Sequence, residues 1–190
     1  MKNFVIHFPH RKDREELFLK EAEEQGFQFE FVTPVYHVHA GTSLLKTYQK
    51  IIFDNYCQDE ICLMEDDIHF CDKGAFDYFV ASKPESFDVY LGGFYDGRLN
   101  EETKKIIRSW SGTHLWIISK KFYDTVLAFN EQGHIDRLMF AAKADVHCCY
   151  PFAAIQHIGY SDVQKRIADH SWYINHKKLF IASEAVQHTL

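Results

Sequence analysis

Three consecutive acidic residues, Glu65, Asp66 and Asp67, interrupt an apolar stretch of the chain. Residues 61–64, which precede them, have the length and composition of a buried strand. Like charges at the end of a hydrophobic strand are expensive to desolvate unless a cation or hydrogen-bond donors compensate them. Carboxylate oxygens suit Mg²⁺ or Mn²⁺, which keep coordination positions open for substrate phosphates. The triplet therefore predicts a divalent metal site, and the alternative is a solvated turn.

A basic turn follows the first apolar segment and opens a helix. Residues 9–14 include Arg11 and Arg14, close to where free helix N–H groups would lie. Arginines at this position could bind a diphosphate or hold the residues that do so. The alternative is an ordinary solvated helix start. The sequence contains no Walker lysine motif, no Gly-x-Gly-x-x-Gly and no nucleophile elbow.

These motifs need elements to position them, and the hydrophobic periodicity predicts strands that alternate with helices. The predicted strands are residues 3–8, 27–32, 61–64, 87–91, 114–118 and 146–150, and the predicted helices are residues 15–25, 42–56, 76–80, 120–130 and 135–144. Such alternation predicts an α/β fold with a mostly parallel sheet covered by helices. Ligands of such sheets bind beyond the carboxyl ends of the strands. The acid triplet, the basic turn and Gly92-Gly93 all fall at predicted strand ends.

Composition limits the function classes. The 190 residues predict one domain, 1–190, and 46% hydrophobic with 16% aromatic residues predicts a folded core. A net charge of −6 makes a broad nucleic-acid surface unlikely. The odd number of cysteines, five, predicts reduced thiols and a cytoplasmic protein, without a secretory signal. No apolar run is long enough to span a membrane, which leaves peripheral membrane contact open.

The chain resembles glycosyltransferase family 25, the lipooligosaccharide galactosyltransferase-like group, through an ordered series of motifs over residues 3–165. The motifs are the opening strand and basic turn at 5–14, the helix at 43–56, Leu63-Met64-Glu65-Asp66-Asp67-Ile68, the strand and glycines at 88–93, Gly112-Thr113-His114-Leu115-Trp116, His134-Ile135-Asp136-Arg137, and a closing pattern of Pro151, Gln156 and Ser161-Asp162. No single motif is specific, but their order is.

The resemblance implies a GT-A type fold, a nucleotide-diphosphate sugar donor (a UDP-linked hexose), a saccharide or glycoconjugate acceptor, and a role in lipopolysaccharide biosynthesis. The implied cofactor is Mn²⁺ or Mg²⁺, which acts as a Lewis acid on the leaving diphosphate. Two other functions remain open. One is a catalytically inactive binding module, and the other is a different metal-dependent nucleotide-processing enzyme.

The predicted site has three parts. The metal ligands are Glu65, Asp66, Asp67 and His157, the nucleotide-sugar ligands are Arg11, Arg14, Gly92, Gly93, Gln156 and Ser161, and the general base is Asp136. In a continuing strand, Glu65 and Asp67 would point to the same face. The alternative for His157 is a structural histidine, which is the more frequent role of a lone histidine. Asp136 could equally begin a helix as an N-cap.

Overall fold

The computed structural model describes residues 1–130, 132–161, 165–174 and 177–185. The strands are β1 (Lys2–Ile6), β2 (Glu30–Val32), β3 (Glu60–Glu65), β4 (Ile68–Phe70), β5 (Val89–Leu91), β6 (Leu115–Ser119), β7 (Val146–Cys148), β8 (Ala154–Gln156), β9 (Gly159–Ser161) and β10 (Arg166–Ala168). The helices are α1 (Lys12–Gln25), α2 (Ala40–Asp54), α3 (Ala75–Ala81), α4 (Tyr123–Leu127), α5 (Ile135–Ala141), α6 (Ser171–Ile174) and α7 (Ala182–Ala185).

The central sheet has six strands in the order β2-β1-β3-β6-β5-β7. The pairs β1/β2, β1/β3 and β5/β7 are parallel, whereas β6 runs antiparallel to both β3 and β5. The predicted α/β fold with a mostly parallel sheet is confirmed. Because β6 is inverted, its first residue lies at the same edge of the sheet as the last residues of β1, β3 and β5.

Helices cover both faces of this sheet. On one face, Leu63 and Trp116 pack with residues of α2, α4 and α5. On the other face, Met64 and Ile117 pack with residues of α1 and α3. Neighbouring residues of one strand therefore belong to different halves of the core, as the alternation of side chains along a strand requires. Burial on both faces explains why the strands are apolar without interruption.

Most predicted elements differ from the structure by a few residues at their ends, and two of these differences have a clear physical cause. Helix α1 begins at Lys12 rather than at residue 15, and acidic residues in its first turn favour that start. It ends as predicted at Gly26, whose φ of 71° suits glycine and whose N–H donates to the Ala22 carbonyl. Strand β2 begins only at Glu30, because Phe27 packs onto Phe18 and Phe76 instead of extending the strand.

Two small ribbons stand at the edge of the sheet where β1 and β3 end. Strand β4 pairs with β8, and β9 pairs with β10, both antiparallel. Neither β8, β9 nor β10 was predicted from the sequence. Within the described part of the chain, every helix is too short or too polar to cross a membrane.

Candidate functional site

The acid triplet forms a turn between β3 and β4. Strand β3 ends at Glu65, whose N–H donates to the His114 carbonyl over 3.1 Å. The Glu65 carboxylate accepts a hydrogen bond from the Thr113 hydroxyl at 2.9 Å. Burial, with the nearby charge of Asp67, raises the pKa of Glu65 to about 8. Burial is the main cause, because removal from water disfavours the charged form of a carboxyl group.

Asp66 is the most completely paired of the three acids. Its Oδ2 lies 2.8 Å from His7 Nδ1, and its Oδ1 accepts a hydrogen bond from Arg14 Nη1 at 2.7 Å. Strands β1 and β3 are parallel neighbours, with Ile6 opposite Glu65. His7 and Asp66, which follow these two residues, therefore meet just beyond the sheet. Both oxygens of this buried carboxylate are therefore occupied by protein groups.

Arg14 connects the acid turn to the ribbon β9–β10. It also lies 3.2 Å from Asp67 Oδ2, and its Nη2 donates to the Tyr160 carbonyl at 2.8 Å. Burial opposes the charged form of this guanidinium, but the charges of Asp67 and Asp66 outweigh burial and raise the pKa of Arg14. Of the two roles considered for the basic turn, this geometry matches an arginine that holds the acidic residues.

Arg11 lies differently. It forms two hydrogen bonds with the Asp13 carboxylate, at 3.0 and 2.8 Å, and this pairing lowers the pKa of Asp13 to about 2. Its Nη1 also lies 3.4 Å from the Tyr160 carbonyl. Ser161, the next residue, ends β9, and its carbonyl accepts from the Lys165 N–H. Direct nucleotide contacts of Arg11, Arg14 and Ser161 stay predictions, and Asp162 lies outside the described residues.

Asp67 is oriented from the end of β8. Gln156 Nε2 donates to Asp67 Oδ1 over 3.2 Å, and the His157 N–H donates to the Asp67 carbonyl over 2.8 Å. The His157 ring, however, contacts Glu21, with 3.3 Å between Nε2 and Oε1. The predicted metal set is therefore divided, because the structure groups the His157 side chain with Glu21 and His69 rather than with the three acids.

Gly92 and Gly93 follow β5 and are both buried. A Cβ atom on Gly93 would lie 2.2 Å from the Ala154 carbonyl oxygen, and one on Gly92 would lie 2.3 Å from a Leu115 methyl carbon. Close packing against the neighbouring strands thus explains glycine at both positions without a ligand. Their contact with a nucleotide sugar stays a prediction.

Asp136 is the second residue of α5 and is buried. Burial raises its pKa, and the N–H groups of Arg137 and Gly112 partly offset that effect. Its Oδ1 accepts from the Arg137 N–H at 2.8 Å. Gly112, whose N–H donates to Asp136, is followed by Thr113, whose hydroxyl donates to Glu65. Two consecutive residues thus connect the start of α5 to the acid turn. The general-base role stays a prediction.

Three residues of this site were not identified from the sequence. His7 and Thr113 bind the acid turn directly, and His114, fully buried beside Gly93, places Nε2 3.1 Å from the Ala154 carbonyl. Burial lowers the pKa of His114, which favours the neutral ring. His7 could have been predicted only from its position, because it directly follows β1, the strand that pairs with β3.

No protein-family model matches the chain, and no curated protein sequence matches it. Solved structures do. The structure of A197 from STIV matches with a TM-score of 0.58 and 13% identity, over 95% of this chain and 98% of that one. A mutant Drosophila β-1,4-galactosyltransferase 7 in complex with manganese, UDP-Gal and xylobiose matches with a TM-score of 0.50 and 11% identity, over 98% and 79%.

The inositol-1-phosphate CTP transferase from T. maritima matches with a TM-score of 0.47 and 14% identity, over 78% of this chain and 66% of that one. At these identities the comparisons show the fold alone. That fold is a GT-A-like mixed α/β arrangement with a central, mostly parallel sheet. Membership of glycosyltransferase family 25 stays a prediction.

Proposed function

We propose that this protein is a glycosyltransferase that moves a hexose from a UDP-linked sugar to a saccharide or glycoconjugate acceptor with the help of Mn²⁺ or Mg²⁺. The observation that carries the proposal is the meeting of three acidic side chains, Glu65, Asp66 and Asp67, at one turn, where Arg14 contacts the two aspartates. This turn lies beyond the carboxyl end of β3, where sheets of this kind bind their ligands. A cytoplasmic location and a lipopolysaccharide acceptor are further expectations of the same proposal.

The contacts of the three acids support an assignment of the residues that would hold the metal. Both oxygens of Asp66 contact protein groups, His7 and Arg14, so we assign Asp66 the role of anchoring the turn. Glu65 accepts from the neutral Thr113 hydroxyl, and Asp67 shares Arg14 with Asp66, so we assign these two carboxylates to the metal. A divalent cation would favour the charged form of Glu65, which burial disfavours. Their oxygen donors fit Mn²⁺ or Mg²⁺. When bound, the metal would stabilise negative charge on the leaving diphosphate.

The surrounding residues would orient these two carboxylates and the substrate. Thr113 fixes Glu65 and Gln156 fixes Asp67 through the hydrogen bonds described above. Outer-shell contacts of this type hold ligands in the geometry that a metal requires. Asp136, at the start of α5, would accept the proton of the acceptor hydroxyl. Its burial and raised pKa are consistent with a general base.

The experiment compares the parent with Asp67→Asn by titrating UDP in the presence and absence of Mn²⁺. We expect Mn²⁺ to increase the affinity of the parent for UDP and to have no effect on Asp67→Asn. The fold should persist, because asparagine can still accept the Gln156 hydrogen bond. Asp77→Asn, on the exposed face of α3, is the matched control and should behave like the parent.

Equal Mn²⁺-dependent affinity in Asp67→Asn and the parent would contradict the metal assignment. A screen of UDP-, GDP- and CMP-sugars by thermal shift then identifies the donor, because a specific ligand stabilises the folded state. Sugar-nucleotide binding without hydrolysis or transfer would favour the binding module. Turnover of a nucleoside triphosphate would favour the other nucleotide-processing class.

A further inference from the structure

A second cluster of potential metal ligands lies beside the acid turn and has no part in the proposed transfer reaction. It consists of Glu21 on α1, His69 on β4 and His157 directly after β8. One ligand atom from each residue lies within 4.8 Å of the other two. Among the residues that the structure describes, no other three histidine, cysteine or acidic side chains converge in this way.

The contacts within this cluster fix the carboxylate and leave one imidazole nitrogen unsatisfied. Glu21 Oε2 accepts a hydrogen bond from the Phe70 N–H at 3.0 Å, and Glu21 Oε1 lies 2.6 Å from His69 Nδ1. His157 Nε2 lies 3.3 Å from the same Oε1, is buried, and makes no hydrogen bond there. Three potential metal-ligand atoms therefore lie together, and one of them, His157 Nε2, makes no hydrogen bond.

We propose that Glu21, His69 and His157 bind Zn²⁺ through one atom each, with water as the fourth ligand. Two imidazoles and one carboxylate form a ligand set that zinc uses with an open position. Zinc bonds of about 2.0–2.1 Å place tetrahedral ligands about 3.3 Å apart. The separation of 3.3 Å between Glu21 Oε1 and His157 Nε2 matches that value, whereas Glu21 and His69, 2.6 Å apart, must move apart.

Solvent access and ligand type distinguish this site from the acid turn. The His69 side chain is 44% exposed, which leaves room for a water ligand. Imidazole nitrogens favour zinc over Mg²⁺ or Mn²⁺, whereas the acid turn offers oxygen atoms alone. Each site should thus select its own metal.

Zinc at this position would connect helix α1 to the β4–β8 ribbon. In that ribbon Ile68 pairs with Gln156, the residue that orients Asp67. The expected consequence is a more stable junction between α1 and the ribbon, and a higher melting temperature when zinc is present.

The test uses the full chain without a histidine tag and titrates Zn²⁺ by calorimetry, with Co²⁺ as a spectroscopic probe. We expect one zinc per chain and visible Co²⁺ absorption typical of four-coordinate nitrogen and oxygen ligands. His69→Asn and His157→Asn should each weaken zinc binding by roughly 100-fold or more, because even outer-shell losses cost 10–100-fold. Glu21→Gln should weaken it similarly while its amide oxygen still accepts from Phe70.

Two controls exclude general effects of histidine or acid removal. His37→Asn, in a partly exposed loop away from the cluster, and Glu23→Gln, on the exposed side of α1, should bind zinc like the parent. Asp67→Asn should also bind zinc like the parent, so failure of this inference and failure of the proposed transferase site are distinguishable. No zinc binding by the parent, or parent-like affinity in both His157→Asn and Glu21→Gln, would overturn the inference.

Discussion

The acid turn and the start of α5 each place a buried aspartate at the carboxyl edge of the sheet, but they compensate its charge in different ways. Asp66 contacts side chains from β1 and α1, two segments distant in sequence. Asp136 accepts hydrogen bonds from backbone N–H groups, one of them that of the next residue. The first arrangement depends on the assembled fold, whereas the second forms largely within one helix turn.

The two aspartates therefore differ in how much the stability of the fold depends on their partners. Side chains from several elements hold the acid turn together, and loss of the Arg14 guanidinium would leave buried charge without a partner. Backbone donors at a helix start satisfy Asp136 at little cost to the rest of the fold. Substitutions at the acid turn should therefore affect stability much more than substitutions at α5.

The largest effect is expected for Arg14→Ala. This change leaves Asp66 and Asp67 without their shared cation, and breaking a buried ion pair in this way typically costs about 3–5 kcal/mol of unfolding free energy. Urea denaturation followed by circular dichroism measures the loss. Arg11→Ala is the matched control, because Arg11 pairs with the exposed Asp13 and should contribute much less. Equal losses in the two variants would refute the contrast between them.

A smaller effect is expected for Gly93→Ala. The new Cβ would lie 2.2 Å from the Ala154 carbonyl oxygen, so β8 must shift, and overpacking of this kind costs about 1–3 kcal/mol. The shift should also weaken Mn²⁺-dependent UDP binding, because β8 carries Gln156. Gly159→Ala is the control, since a Cβ there meets nothing within 4 Å. If Gly93→Ala is as stable as Gly159→Ala, the strand does not constrain the acid turn.

The smallest effect on stability is expected for Asp136→Asn. The amide keeps most of the hydrogen bonding, and loss of a charge from the first helical turn costs less than about 1 kcal/mol. If Asp136 is the general base, transfer nevertheless falls by about 10²–10⁴-fold with UDP binding nearly unchanged. Steady-state kinetics and thermal denaturation of one sample separate the roles. Full transfer activity would remove Asp136 from the mechanism and direct attention to Asp96.

The sequence predicted most of the fold because long apolar segments dominate it. Strands β1, β3 and β6 and helices α1 and α2 all lie near their predicted positions. The direction of β6 could not be predicted, since a strand buried on both faces has the same composition whichever way it runs. Strand β8 pairs with β4, which lies far earlier in the chain. Strands β9 and β10 pair with each other, but three residues each are too few to show a strand pattern in the sequence.

The arrangement of the candidate site could be predicted where its residues are neighbours in sequence, and not where it depends on which elements are neighbours in the fold. Acids at the end of an apolar strand identified the turn at 65–67. The role of His7 depends on the parallel pairing of β1 with β3, which no local pattern encodes. His157 was identified as a candidate ligand, but its partner Glu21 lies on a helix far away along the chain.

The inverted strand β6 has a consequence for the assembly of the protein during synthesis. Trp116 pairs with Leu63 of β3 on one side and with Leu91 of β5 on the other. Strand β6 therefore joins the two halves of the central sheet. Until residues 115–119 leave the ribosome, β3 is an open apolar edge, which invites pairing with other chains. The emergence of β6 therefore closes this edge of β3, and the opposite edge of β5, away from β6, is closed only when β7 follows.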